Sequence, residues 1–227
     1  MNPSQKQSVY HSAAFDAAGS AMMSFDPVKR IHQHLCTFHT YSHDRGRHVE
    51  THHYCTHLSK DFHQCVIYES DSPNAKLIGI EYIVSQKVFE TLPKVEKKYW
   101  HSHQYEVESG LLQLQVKNFV PGTVVDVAEQ PAMLELQQSY GKTVHTWAID
   151  VSPDLPLGPP NLMAAYTSDD QVPTETVKAR DTRLGVSTEA QKEYRRSYLP
   201  KYEKNEEADE WEKSGKGLQF LATAVEL

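Results

Sequence analysis

The chain has 227 residues, 39% of them hydrophobic, enough for one large domain with a buried core. Its 23 Lys and Arg against 30 Asp and Glu give a formal net charge of -7, which argues against a phosphate-binding face and so against nucleic acid as a partner. Cys36, Cys55 and Cys65 are odd in number and form no CxxC pair, so neither a disulfide framework nor a zinc ribbon is expected and a reducing compartment fits.

Composition divides the chain into a flexible N-terminal segment over residues 1–29, a histidine-rich core over 30–168 and a polar, partly helical extension over 169–227. In the first segment Phe15, Ala18, Met22 and Phe25 recur at helical spacing, an apolar stripe for docking on the core or lying on a lipid surface. It lacks the basic and apolar regions of a secretory signal, and no apolar run in the chain approaches membrane-spanning length. A cytoplasmic protein, or one attached peripherally to a surface, is expected.

Most of the 13 histidines fall between residues 32 and 65. His32 and His34, then His39, Tyr41 and His43, alternate as they would along extended segments. In "HHYCTH", His53 and His57 share a face of a helix, or share one with Cys55 in a strand, while His52 is their neighbour. Next, "CVIYESDSPNAKLIGIEYIVS" reads as an antiparallel hairpin around the turn-forming "DSPNAK". Glu81 is the one charge in its second strand; such a carboxylate must face solvent, pair with a cation, raise its pKa or bind a metal. It shares a face with Gly79, which leaves room for another group to approach.

"SQKVFETLPKVEKKYW" reads as two helical pieces broken at Pro93. The extended pattern returns in "WHSHQYEVESGLLQLQV", where His101 and His103 point the same way and Glu106 or Glu108 completes a donor set for a divalent metal. With Glu108 as the acid, this resembles the first motif of cupin metalloproteins, without that motif's glycine and proline pattern. "QPAMLELQQSYGK" reads as a helix with Pro131 near its start and Gly141 as its stop. "TVHTWAIDV" follows as a strand that offers His145 as a further ligand, and "LPLGPPNLMAAYTS" as a Pro-rich loop leading into another strand. Beyond residue 168 one helix is expected at "STEAQKEYRRSYL", where Thr188 and Gln191 form a capping-box pattern, and an acidic, solvated stretch follows.

"HQHLCTFHTYSHD", "VETHHYCTHLSKDFHQCVIYES", "AKLIGIEYIVS", "YWHSHQYEVESGLL", "YGKTVHTW" and "LPLGPPNLM", in that order, resemble the oil body-associated protein family over about residues 30–168. The resemblance implies a lipid-droplet surface as partner, reached peripherally since no long apolar hairpin of the oleosin kind is present, and a small apolar ligand is the other partner expected. It carries no catalytic mechanism with it, and the tail aligns only at its "GKGL".

The fold expected is α+β: a mainly antiparallel sheet from segments near 34–43, 48–57, 64–70, 77–84, 101–116 and 143–151, with flanking helices. Partial closure into a barrel would gather His53, His101, His103 and His145. The leading expectation is a family protein, soluble or peripheral to lipid droplets, acting in lipid storage or binding and carrying a histidine-rich metal site. Its rival is a metal-dependent enzyme of hydrolytic, isomerase or oxygenase type. There His52, His53, His57, His101, His103 and His145 supply ligands to zinc, iron, manganese or copper, and Glu81 or Glu106 serves as ligand or general base. A solvated, pH-sensitive histidine surface is the alternative to any metal.

Overall fold

The computed structural model describes residues 3–116 and 122–226. The chain forms two units, Met1–Ile31 and His32–Leu227. The first holds helices α1 (Pro3–Tyr10), α2 (Ala13–Met22) and α3 (Asp26–Lys29). Ser12 caps α2 by accepting from the Phe15 amide, as a hydroxyl at a helix start does. None of the residues of α2 is buried, and Met22, Met23, Phe25 and Val28 are exposed.

Among its described residues the second unit has eight strands: β1 (Gln33–Tyr41), β2 (Asp44–Ser59), β3 (Phe62–Tyr68), β4 (Leu77–Ser85), β5 (His101–Ser102), β6 (Gln113–Leu114), β7 (Ser139–His145) and β8 (Asn161–Ala164). Six of them close a ring, β1-β2-β3-β4-β7-β8 and back to β1, every pairing antiparallel. The fold is α+β, a closed antiparallel barrel with flanking helices. Closure satisfies the strand edges internally. Short β5 pairs with Tyr140 and Gly141 at the start of β7, and β6 pairs with Leu35 and Cys36 of β1.

Alternation along each strand sorts the interior into layers. Leu35, Cys55, Cys65 and Ile83 pack with Val107, Leu112, Met133 and Leu136 toward one end. Tyr41, Val49, Ile67, Ile78, Ala148 and Met163 pack toward the other. Between these apolar layers the same inward faces carry His39, His53, Glu81, Thr143 and His145, all buried. The barrel therefore encloses a polar layer between two greasy plugs.

The β3–β4 hairpin forms as expected. So does the helix break, with α4 (Gln86–Thr91) and α5 (Lys94–Lys97) on either side of Pro93. Four expectations are corrected. The extended run over 101–116 shrinks to β5 and β6 around a short helix, α6 (Gln104–Glu108). Helix α7 (Gly122–Gln137) starts well before Pro131, which lies inside it, and it ends before Gly141, which is in mid-strand. The extension holds α8 (Thr174–Leu184) as well as α9 (Thr188–Arg196), the latter capped by Ser187 rather than Thr188; α10 (Glu210–Ser214) comes last. Finally, a disulfide joins Cys55 on β2 to Cys65 directly opposite on β3, leaving Cys36 as the free, buried thiol.

Candidate metal centre

Glu81 stands in the middle of β4, opposite Cys65 on one side and Thr143 on the other, and is 2% exposed. The Thr143 hydroxyl donates to its Oε1 at 2.8 Å. Nε2 of His101 and Nε2 of His103 each lie 3.3 Å from the same oxygen, and Nε2 of His53 lies 3.2 Å from Oε2. Burial alone would raise the carboxyl, but the imidazoles of His101, His103 and His53 hold it well below the usual carboxylate range. Burial opposes charge on His103 too, yet Glu81 raises its pKa above the ordinary imidazole value. For His39 and His145, burial and the neighbouring His53 outweigh the pull of Glu81, and they hold His39 well below the ordinary imidazole value and lower His145 to about 3.

Hydrogen bonds fix which nitrogen the His103 ring presents. Ser139 donates its hydroxyl to the Leu136 carbonyl at 2.9 Å, so the 2.8 Å contact from His103 Nδ1 is a donation to Ser139 Oγ. Nε2 of His103 then faces Glu81 with either a proton or a lone pair, the orientation that outer partners impose on metal-binding histidines. His53 and His101 reach Glu81 without hydrogen-bond geometry, and both nitrogens of each ring are buried without a partner. Such orphans are costly unless something further binds them.

Glycine makes the space. A Cβ on Gly141 would overlap Glu81 Oε1 and fall 2.7 Å from Nε2 of His101 and of His103. At Gly79 the approaching groups are the Val144 carbonyl oxygen, 2.5 Å from where a Cβ would stand, and the His145 ring, whose Cδ2 would be 2.9 Å away. Two donor sets result, each with its atoms within 4.8 Å of one another: Glu81, His101 and His103, and His39, His53 and Glu81. Imidazole and carboxylate donors of this kind suit borderline divalent ions.

A family profile described as "Protein of unknown function (DUF1264)" matches residues 25–199. Oil body-associated protein 1B of Arabidopsis thaliana is 46% identical over 180 residues, which cover 79% of this chain and 72% of that one. Oil body-associated protein 1A of Zea mays is 42% identical over 183 residues, covering 81% and 74%. Oil body-associated protein 2A of Zea mays is 40% identical over 210 residues, covering 91% and 81%. The chain belongs to the oil body-associated protein family. No solved structure matches it.

Within this family member the barrel brings together Glu81, His53, His101, His103 and His145 from the sequence expectation, and leaves others apart. His52 faces outward from the barrel, with Nε2 2.9 Å from Glu50 Oε1 and 3.8 Å from Cys36 Sγ, and Nδ1 3.0 Å from His34 Nε2. In that set Arg183 pairs with Glu50, and Arg180 pairs with Asp181 while donating to Cys36, whose thiol burial pushes up to about 12. His57 stacks on His63 with ring centroids 3.8 Å apart. Glu106 is buried on α6, accepts from the Thr37 hydroxyl at 2.5 Å and is raised by burial. Glu108 accepts from Gln104 and Gln137 instead of joining the histidines.

Sequence reasoning missed His39 as a donor and Asp209 as a support. Nδ1 of His39 lies 3.1 Å from Nε2 of His145, and its ring meets that of His53 edge-on at 4.9 Å between centroids. Asp209, buried in the extension, accepts from the Ser102 amide at 3.3 Å and from Lys204 at 2.6 Å. It thereby holds the residue between His101 and His103. The alternation of Thr37, His39 and Tyr41 was the available signal for His39; none marked Asp209.

Proposed function

We propose that this protein binds a divalent metal inside its barrel, at Glu81, His53, His101 and His103, and acts at lipid-droplet surfaces in lipid storage or binding. The observation that carries the metal reading is the convergence of buried, unpartnered imidazole nitrogens on one buried carboxylate over a glycine. Zinc, iron, manganese and copper fit such donors.

The lipid reading draws on the relatives' names and on one surface. The loop after β7 exposes Val151, Leu155 and Leu157. It is held in shape by Trp147 Nε1 donating to the Ser152 carbonyl at 2.7 Å, by the Ser152 hydroxyl donating to the Leu155 carbonyl at 2.7 Å and by Lys76 donating to the Pro153 carbonyl at 2.9 Å. Among the described residues no helix is long and apolar enough to cross a membrane. Insertion of this loop's side chains into a phospholipid monolayer is the attachment that such a surface permits.

Glu106 favours a second reading, a metal-dependent enzyme. It is a buried carboxyl outside both donor sets whose charge is felt by His103 and His101, placed to take or give a proton. A bound metal would supply Lewis acidity to such a site.

The test is elemental analysis of protein purified without a metal-binding tag, beside His101→Ala/His103→Ala, with flotation of both on phospholipid-coated triacylglycerol droplets. Near-stoichiometric metal that falls in the variant supports the centre, and co-flotation supports the surface. Protein that takes up no zinc, iron, manganese or copper sinks the metal reading, and protein that stays in the infranatant sinks the lipid reading.

A further inference from the structure

We infer that the barrel holds two metal ions bridged by the Glu81 carboxylate, one on His101 and His103 and the other on His53 and His39. This rests on the metal reading above and adds to it the number of ions, the bridge and His39.

The two oxygens of Glu81 are divided between two groups of rings. Oε1 faces His101 and His103 at 3.3 Å, and Oε2 faces His53 at 3.2 Å. A carboxylate serving one ion would turn one edge to all its neighbours, whereas one serving two ions offers an oxygen to each. The donor sets follow the same division: each is compact within 4.8 Å, and they share Glu81. Carboxylate-bridged pairs about 3.5–4 Å apart are the usual spacing of two-metal sites.

Each half has its own outer support. His103 Nδ1 is anchored on Ser139, and the hydroxyl of Thr143 holds Oε1. His39 is oriented by the 3.1 Å contact of its Nδ1 with His145, which leaves its other nitrogen for an ion. His145 therefore acts as a positioning residue. The donor set is rich in imidazole and holds one carboxylate, which favours zinc or copper over magnesium or calcium.

The experiment is titration of metal-stripped full-length protein with cobalt(II), following visible absorption, electron paramagnetic resonance and bound metal per chain. The wild type is expected to saturate at two ions with a magnetically coupled pair. His39→Ala is expected to bind one and lose the coupling, with circular dichroism and melting showing that it is folded. Cys36→Ser is expected to keep two, which separates the pair from the outward-facing Cys36, Glu50 and His52 set. Saturation of the wild type at one ion overturns the pair and leaves the single-ion reading standing, whereas no binding overturns both. Two ions retained in folded His39→Ala, or one lost in Cys36→Ser, overturns the assignment of the second ion.

Discussion

Gly141 pairs with His101 across the β5–β7 ladder and leaves open the point on which Nε2 of His101, Nε2 of His103 and Oε1 of Glu81 converge. A methyl group there would displace the ligands from the space they share. Gly141→Ala is therefore expected to weaken cobalt or zinc binding by on the order of 100-fold, as when ligand support is lost. Overpacking should cost about 1–3 kcal/mol of stability. Calorimetric titration of the folded variant checks it, and wild-type affinity would show that Gly141 does not hold the ligand space open.

Val151, Leu155 and Leu157 sit on a loop whose backbone is tied to Trp147 and Lys76, so they do not need to refold to meet lipid. Burying the two leucines in a monolayer would contribute about 3 kcal/mol or more. Leu155→Glu/Leu157→Glu is expected to lower the droplet partition constant by on the order of 100-fold while leaving the melting temperature unchanged. Flotation with equal amounts of both proteins measures this. An unchanged bound fraction would place attachment elsewhere on the chain.

Local signals made much of the fold legible. Pro93 marks the break between two helices, and the "DSPNAK" turn between two β-rich runs closes a hairpin, each as its local chemistry favours. The candidate site was legible in its residue types but not in its faces. His52 and His53 are neighbours, yet a period of two sends one outward to Glu50 and the other inward to Glu81, and only register with β1 and β3 decides which. Gly141 carried a stop signal for a helix and serves as a strand residue under close approach, a choice that tertiary packing makes. The polar extension hid Arg180, Arg195 and Asp209, because composition reads charge as solvated and cannot see the buried partner that satisfies it.

Asp150 anchors the base of the apolar loop to the barrel. Its Oδ2 accepts from Arg47 Nε at 2.7 Å, and its Oδ1 accepts from Arg47 Nη2 at 2.8 Å and from the Tyr41 hydroxyl. Burial works against the charge, but Arg47 and Tyr41 hold the carboxyl below its ordinary 3.8. A folded value below the unfolded one means that this stability is present above about pH 4 and is lost as pH falls through the folded value. Asp150→Asn is expected to cost about 1 kcal/mol near neutrality, a partly exposed pair being screened. Urea melts from pH 7 down to about 2.5 should show the gap between the two proteins closing at the acid end. A gap that stays constant would assign the effect to shape rather than charge.

Arg195 on α9 is buried and uses every arm of its guanidinium: Nε donates to Glu129 on α7 at 2.8 Å, Nη1 to the Val107 carbonyl at 2.8 Å and Nη2 to the Leu112 carbonyl at 2.7 Å. Val107 lies in α6 and Leu112 in the segment between α6 and β6, so the extension braces the stretch that follows His103. Arg195→Met removes the cation and leaves buried Glu129 without its ion-pair partner, which should cost about 3–5 kcal/mol. Arg195→Met/Glu129→Leu removes both charges and should recover part of that loss, though not the two carbonyl contacts. The measurements are denaturant melts of the single and double variants together with cobalt affinity. If the brace positions the metal centre, affinity falls in folded Arg195→Met and recovers less than stability does in the double variant. Equal recovery of both would confine Arg195 to holding the fold.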